Sequence, residues 1–186
     1  MSSNYDYIWK ISVGGMGGVG KTTLLHRYIH NEFKEDTKMT IGCQFHTQAL
    51  DRQGRKVSLV MWDLGGQERF RFIQGDYVKG SAAAFVLFDM SRYMTLEQSR
   101  DWINMIWQNA SAIPIVLMGT KMDLCNESEQ AMIHESASQM VQELGLTAYI
   151  PTSSKWGTNV NEGILYVVDL LLYSAYQAET GGVSQV

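Results

Sequence analysis

Residues 15 to 22 read Gly15-Met16-Gly17-Gly18-Val19-Gly20-Lys21-Thr22, a glycine-rich run that closes on a lysine and a hydroxyl. Ile8 to Val13 before it reads as a strand. Thr22 to Phe33 after it places Leu24, Leu25, Tyr28 and Ile29 at helical period. Few chains can fold around a strand that runs through such a turn straight into a helix; a strand–helix–strand architecture is what they share. The spacing is Gly-x4-Gly-Lys-Thr, and its chemistry follows from its residue types. Glycines let backbone N–H groups turn inward without Cβ interference. The helix start adds unpaired N–H donors and a favourable dipole. Lys21 supplies a point charge for outer phosphates, and the Thr22 hydroxyl can ligate Mg2+. A chance glycine turn is the competing reading, and the strand before and helix after argue against it.

The rest of the chain repeats the alternation. Lys34 to Gly42 is polar and irregular. Phe45 to Leu50 and Lys56 to Trp62 read as strands around the turn Asp51-Arg52-Gln53-Gly54. Ala82 to Phe88 and Ile113 to Met118 are continuous apolar runs, as strands buried on both faces should be. Helical patterns cover Thr95 to Asn109, Ser128 to Leu144 with Gly145 as its C-cap, and Asn161 to Gln177; Thr147 to Ile150 is a last short strand. The expectation is an α/β fold with a mostly parallel sheet. One domain spans residues 1–178, and residues 179–186 form a short disordered tail.

Several function classes drop out on composition. The net charge of −4 gives no electrostatic reason for nucleic-acid binding. Cys43 and Cys125 show no metal-ligand spacing and fit a reducing, cytoplasmic setting. No signal peptide and no long apolar run is present; Ile164 to Leu172 is interrupted by Asp169. His26 and His30 stand four apart on a helix without a third ligand, and Trp102 and Trp107 read as packing. Trp156 either shields a ligand or is simply exposed. Phe45 and Trp62 are either a partner surface or sheet packing.

The phosphate loop by itself would suit an ATPase or a nucleoside kinase equally. Further segments decide. Trp62-Asp63-Leu64-Gly65-Gly66-Gln67-Glu68, Thr120-Lys121-Met122-Asp123 and Pro151-Thr152-Ser153-Ser154-Lys155 each follow a strand, at the edge where open α/β sheets bind ligands. They resemble the DxxGQ, NKxD and SAK segments of the Ras superfamily of small GTPases, over residues 7 to 178. Gln67-Glu68-Arg69-Phe70-Arg71 and Thr40-Ile41-Gly42 look most like the Rab branch. Phe88-Asp89-Met90-Ser91-Arg92 and Gly119-Thr120-Lys121-Met122-Asp123, with the segment from Trp62 to Gln67, are closer still to the fungal septation GTPases.

The resemblance implies a small G domain: a P-loop NTPase with a six-stranded, mostly parallel sheet, one antiparallel edge strand and helices on both faces. It implies GTP/GDP and Mg2+ as cofactors, a molecular switch, and slow GTP hydrolysis. Gly15, Gly17, Gly18, Val19, Gly20, Lys21, Thr22 and Thr23 would bind the phosphates. Asp123 would accept the guanine N–H groups, Lys121 pack along the base, and Ser154 donate to its carbonyl beside Ser153 and Lys155. Phe33 would stack on the purine. Thr22, Thr40 and Asp63 would hold the metal, the Gly66 N–H would meet the γ-phosphate, and Gln67 would orient the attacking water with Lys21 neutralising charge.

Two departures stand out. Thr120 replaces the usual Asn, which implies a single hydroxyl tether and weakened affinity. Thr37 stands where an aromatic is common, which implies looser closure. Arg52, Arg69 and Arg71 do not sit where a cis arginine is inferred, so the expected rate is slow, on the order of 10⁻⁴ to 10⁻² s⁻¹, raised by an activating protein. An exchange factor, a GTPase-activating protein and effectors are expected on Lys34–Gly42 and Gly65–Tyr77, and a monomer is expected. Gly181 to Val186 shows no cysteine for a lipid anchor. Cytosolic residence or recruitment by a protein is therefore expected.

Overall fold

A computed structural model of the chain describes residues 4–35, 38–67 and 71–181. Its strands are β1 (Tyr7–Gly14), β2 (Cys43–Arg52), β3 (Arg55–Leu64), β4 (Ala83–Asp89), β5 (Ile115–Thr120) and β6 (Ala148–Pro151). Its helices are α1 (Lys21–His30), α2 (Arg71–Val78), α3 (Met94–Glu97), α4 (Ser99–Ala110), α5 (Glu127–Leu144) and α6 (Val160–Gly181). The sheet order is β2-β3-β1-β4-β5-β6. Among the described strands only β2 runs antiparallel to its neighbour, pairing Phe45 with Trp62 and Arg52 with Arg55. Gln53 and Gly54 make the tight turn between them with φ of 52° and 74°, the left-handed pair a two-residue hairpin requires.

Alternate residues of the central strands face alternate sides. Ala83, Phe85 and Leu87 pack with Leu24 and Leu25 of α1 and Ile164, Val167 and Val168 of α6. Ala84, Val86 and Phe88 pack with Val78 of α2, Leu96 of α3, Ile103 and Ile106 of α4 and Ile133 of α5. Trp102 is part of this second core, lying so close to Gly14 that a Cβ there would come within 2.6 Å of its ring. β1 sits mid-sheet with β3 on one side and β4 on the other, so the loop after it opens where the strand order reverses.

Several expected boundaries shift for local reasons. The single helix expected over Thr95–Asn109 is two, broken at Gln98, where the Ser99 hydroxyl donates to Thr95 O at 2.9 Å. α5 starts before Ser128 because Asn126 and Glu129 exchange side-chain and backbone hydrogen bonds in a capping box. The last helix, expected to end at Gln177, runs on as α6 to Gly181, and residues 182–186 of the expected tail lie outside the described residues. Glu179 accepts from the Tyr7 hydroxyl at 2.6 Å and pairs with Arg55 at 3.1 Å. A second tie joins the hairpin to the same helix, with Arg52 Nε and Nη2 donating to Asp169 at 2.7 and 2.6 Å.

Phe85 is fully buried between sheet and helices. Phe85→Ala should lower unfolding stability by about 3–5 kcal/mol through lost burial and the cavity it leaves, read as a reduced urea midpoint.

Candidate functional site

The carboxyl ends of β1, β3, β4, β5 and β6 converge on one crevice. The glycine-rich loop leaves β1 with Gly15 at φ 135°, where a Cβ would collide with Leu87 O at 2.3 Å, so no other residue fits. α1 begins behind Gly20, itself left-handed, with no side-chain cap and no acidic residue in its first turn. Its leading N–H groups therefore stay available to an anion. Lys21, only 6% exposed, folds back so that Nζ donates to Gly15 O at 2.7 Å and Met16 O at 3.0 Å. Burial lowers its pKa to about 8 against the pull of the Asp63 charge.

The end of β3 places Asp63 opposite the start of α1. Thr22 Oγ1 donates to Asp63 Oδ2 at 2.5 Å, Thr40 Oγ1 lies 3.1 Å from the same oxygen, and the two hydroxyls are 2.9 Å apart. Asp63 Oδ1 is buried and has no partner among the described residues. Burial raises the Asp63 pKa, and the hydrogen bonds and Lys21 offset it only in part. An orphaned carboxylate oxygen beside two hydroxyls is a hard-oxygen donor set, and a cation there would relieve its burial. These three residues fit Mg2+.

Gly17, Gly18, Gly20, Lys21 and Thr22 line a small cavity with Thr40, Gly66 and Gln67. Gly66 packs so tightly on the loop that a Cβ would come within 2.4 Å of Gly17 N. Gln74 of α2 holds the preceding residue, donating to Gly65 O at 2.7 Å. A second cavity of about 430 Å³ opens on the other side of Gly18 and Gly20. Thr23, Phe33, Thr120, Lys121, Asp123, Ser154 and Lys155 line it.

Ser153 is fully buried and off the wall of that cavity; its hydroxyl donates to Asp123 Oδ1 at 2.6 Å and so aims the carboxylate. Trp156 is exposed and does not border the cavity. Thr120 sits with its hydroxyl 2.6 Å from Val19 O and 2.8 Å from Phe88 O, so it still tethers the glycine-rich loop to β4. Lys121 is left-handed at φ 59° and spans Gly18 O at 3.0 Å and Asp89 Oδ2 at 2.7 Å. Thr37, Glu68, Arg69 and Phe70 lie outside the described residues.

A model of the Ras family matches residues 10–172. The chain belongs to the Ras family. Human Ras-related protein Rab-4B is 37% identical to it over 166 residues, 89% of this chain and 76% of that protein. Bovine Ras-related protein Rab-4A is 36% identical over 89% of this chain and 75% of its own length. Ras-related protein RABG3b of Arabidopsis thaliana is 30% identical over the whole of this chain and 97% of its own length. This Ras-family chain is thus a Rab-like small GTPase: a GTP hydrolase that acts as a switch in signalling or membrane traffic. Ras-family GTPases bind GTP and GDP with Mg2+.

Residues that sequence reasoning passed over are those that support others. Gln74, Asp89 and Arg92 touch the loops from behind, and Met39 and Leu124 complete the cavity walls. Their only signal was position within recognisable segments. In this small GTPase Thr120→Val should speed GDP release about tenfold, because it removes the hydroxyl that ties Val19 O of the loop to β4; displacement of fluorescent GDP measures it. Gly66→Ala should retain GDP but abolish the GTP-dependent protection of residues 65–67 in hydrogen exchange, since the added methyl forces that segment off the loop.

Proposed function

We propose that the larger cavity takes guanine and the smaller one the phosphates of GTP or GDP. The placement of Asp123 carries this reading: its carboxylate, fixed by Ser153, stands on the wall of a cavity that shares Gly18 and Gly20 with the phosphate loop. Two carboxylate oxygens accept the paired N–H groups of guanine, a pattern adenine does not offer. Phe33 stacks on one face of the base, the Lys121 stem lies along the other, and the Ser154 N–H donates to the guanine carbonyl. Lys155 and Thr23 close the rim.

At the other end the inward amides of Gly17 to Thr22 and the Lys21 ammonium take the phosphates. Thr22, Thr40 and Asp63 hold Mg2+, which when bound neutralises charge developing on the phosphates. Gln67, on the wall of the phosphate cavity, orients the attacking water, and the Gly66 N–H meets the γ-phosphate. No arginine of the described chain lines that cavity, which supports a slow intrinsic rate and an activating protein. The nucleotide requirement and two free thiols favour cytoplasmic work, and no described helix is long and apolar enough to cross a membrane.

Thr40 links the metal site to the partner surface. On either side of it Met39 and Ile41 are exposed, and Phe45 is 68% exposed. Phe45, Trp62 and Tyr77 form a run of aromatic contacts with centroids 5.7 and 6.1 Å apart. Effectors and an exchange factor reading Lys34–Gly42 and Gly65–Tyr77 would bind this apolar face when Thr40 and Gly66 are held by the γ-phosphate. The finer kinship with septation GTPases rests on Phe88–Arg92 and Gly119–Asp123.

Single-turnover phosphate release with GTP and ATP in parallel tests the whole reading. GTP should be cleaved on the order of 10⁻⁴ to 10⁻² s⁻¹ and ATP should be neither bound nor cleaved. Gln67→Leu should slow cleavage at least about tenfold with GDP affinity unchanged. Equal handling of ATP and GTP would overturn the assignment of Asp123.

A further inference from the structure

Three consecutive peptide groups of the glycine-rich loop meet a donor on their outward carbonyl. Thr120 Oγ1 reaches Val19 O at 2.6 Å and Lys121 Nζ reaches Gly18 O at 3.0 Å. Arg92 Nη2 stands 3.5 Å from Gly17 O, the long limit of a hydrogen bond. In a trans peptide the N–H points away from the carbonyl that shares its plane. The groups on the inner side are therefore the amides of Gly20, Val19 and Gly18. A donor outside the ring polarises each peptide and makes its inner N–H a stronger partner for an anion.

Arg92 is held in this place by its own surroundings. Its N–H donates to Asp89 O at 2.9 Å, and its carbonyl accepts from Thr95 N at 2.9 Å and Thr95 Oγ1 at 2.7 Å. Nε donates to Asp89 Oδ2 at 2.8 Å, the same oxygen that accepts Lys121 Nζ at 2.7 Å. Ser91 N and Oγ occupy Asp89 Oδ1 at 3.0 and 2.6 Å. One buried carboxylate thus aims two cations at neighbouring carbonyls of the loop. A Cβ on Gly18 would lie 3.6 Å from Arg92 Nη2, so the guanidinium runs along the outer wall of the loop. The side chain is 48% exposed, and as a mere surface ion pair it would contribute little.

We infer that Arg92 is a positioning residue for the phosphate-binding loop: anchored on Asp89, it fixes the Gly17–Gly18 peptide from outside and slows the departure of bound nucleotide. The inference rests on the guanine-nucleotide reading above. It adds a third outer donor, from the turn after β4, to the two supplied by the last residue of β5 and the residue that follows it.

Release of methylanthraniloyl-GDP, chased with excess unlabelled GDP in Mg2+ buffer, tests it on the full chain. Arg92→Ala should speed release about three- to tenfold, and Arg92→Lys should recover at least half of that effect. Arg100→Ala is the control, since Arg100 makes similarly exposed ion pairs with Glu97 and Glu143 away from the site. It should leave release unchanged. Unaltered release in Arg92→Ala overturns the inference. So does an equal acceleration in Arg100→Ala, which would mark general destabilisation, or a lysine that restores nothing. Wild-type protein that takes up no labelled GDP would overturn the nucleotide reading itself, and this inference with it.

Discussion

The ammonium of Lys21, turned back onto the carbonyls of Gly15 and Met16, is the contact around which the rest of the molecule is arranged. A buried cation is costly unless its donors are used, and here two loop carbonyls use them. The same charge that closes the loop on itself is the one a phosphate would meet. The loop's own carbonyls thus hold the ammonium in place beside the uncapped amides of α1. β1 delivers the chain to this point, and α1 carries it away with its leading amides uncapped.

Around that charge the sheet collects the remaining chemistry. Asp63, Asp89, Thr120 and Ser153 are each almost wholly buried at the carboxyl ends of four different strands or just beyond them. Such groups survive burial by satisfying one another. Asp89 takes two cations, Thr120 ties two carbonyls, and Ser153 holds Asp123. Asp63 Oδ1 is the exception, and the imbalance falls at the proposed Mg2+ site.

Much of this was legible in the residues, and the reason is periodicity. Ala82 to Phe88 alternates between two cores, so its apolar run had to be a central strand. The hairpin announced itself through Gln53-Gly54, and the glycine-rich loop through its spacing. Side chains that act at one remove were not legible. Arg92 reaches the loop only because β4 and β1 are neighbours, a tertiary fact with no local pattern. Gln74 looks like any helix glutamine until Gly65 is placed beside it. The break at Gln98 escaped notice because the apolar period continues through it, while the Ser99 hydroxyl competes for a helix carbonyl. Thr120 was read as a weaker substitute for an amide, yet its hydroxyl still reaches the loop and β4.

The grip of Arg52 and Arg55 on the last helix has a mechanical meaning. It moors the distal tip of the β2–β3 ribbon to α6, more than a hundred residues later in the chain. These contacts add to the β1–β3 ladder, which holds the ribbon in register from Tyr7–Val57 to Val13–Asp63. The near end of the ribbon is tied differently. There Gly42, at φ 73°, accepts the Gly65 N–H at 2.8 Å. That bond, beside the contact of Thr40 with Asp63, joins the segments on either side of the metal-type donor set just beyond the paired strands.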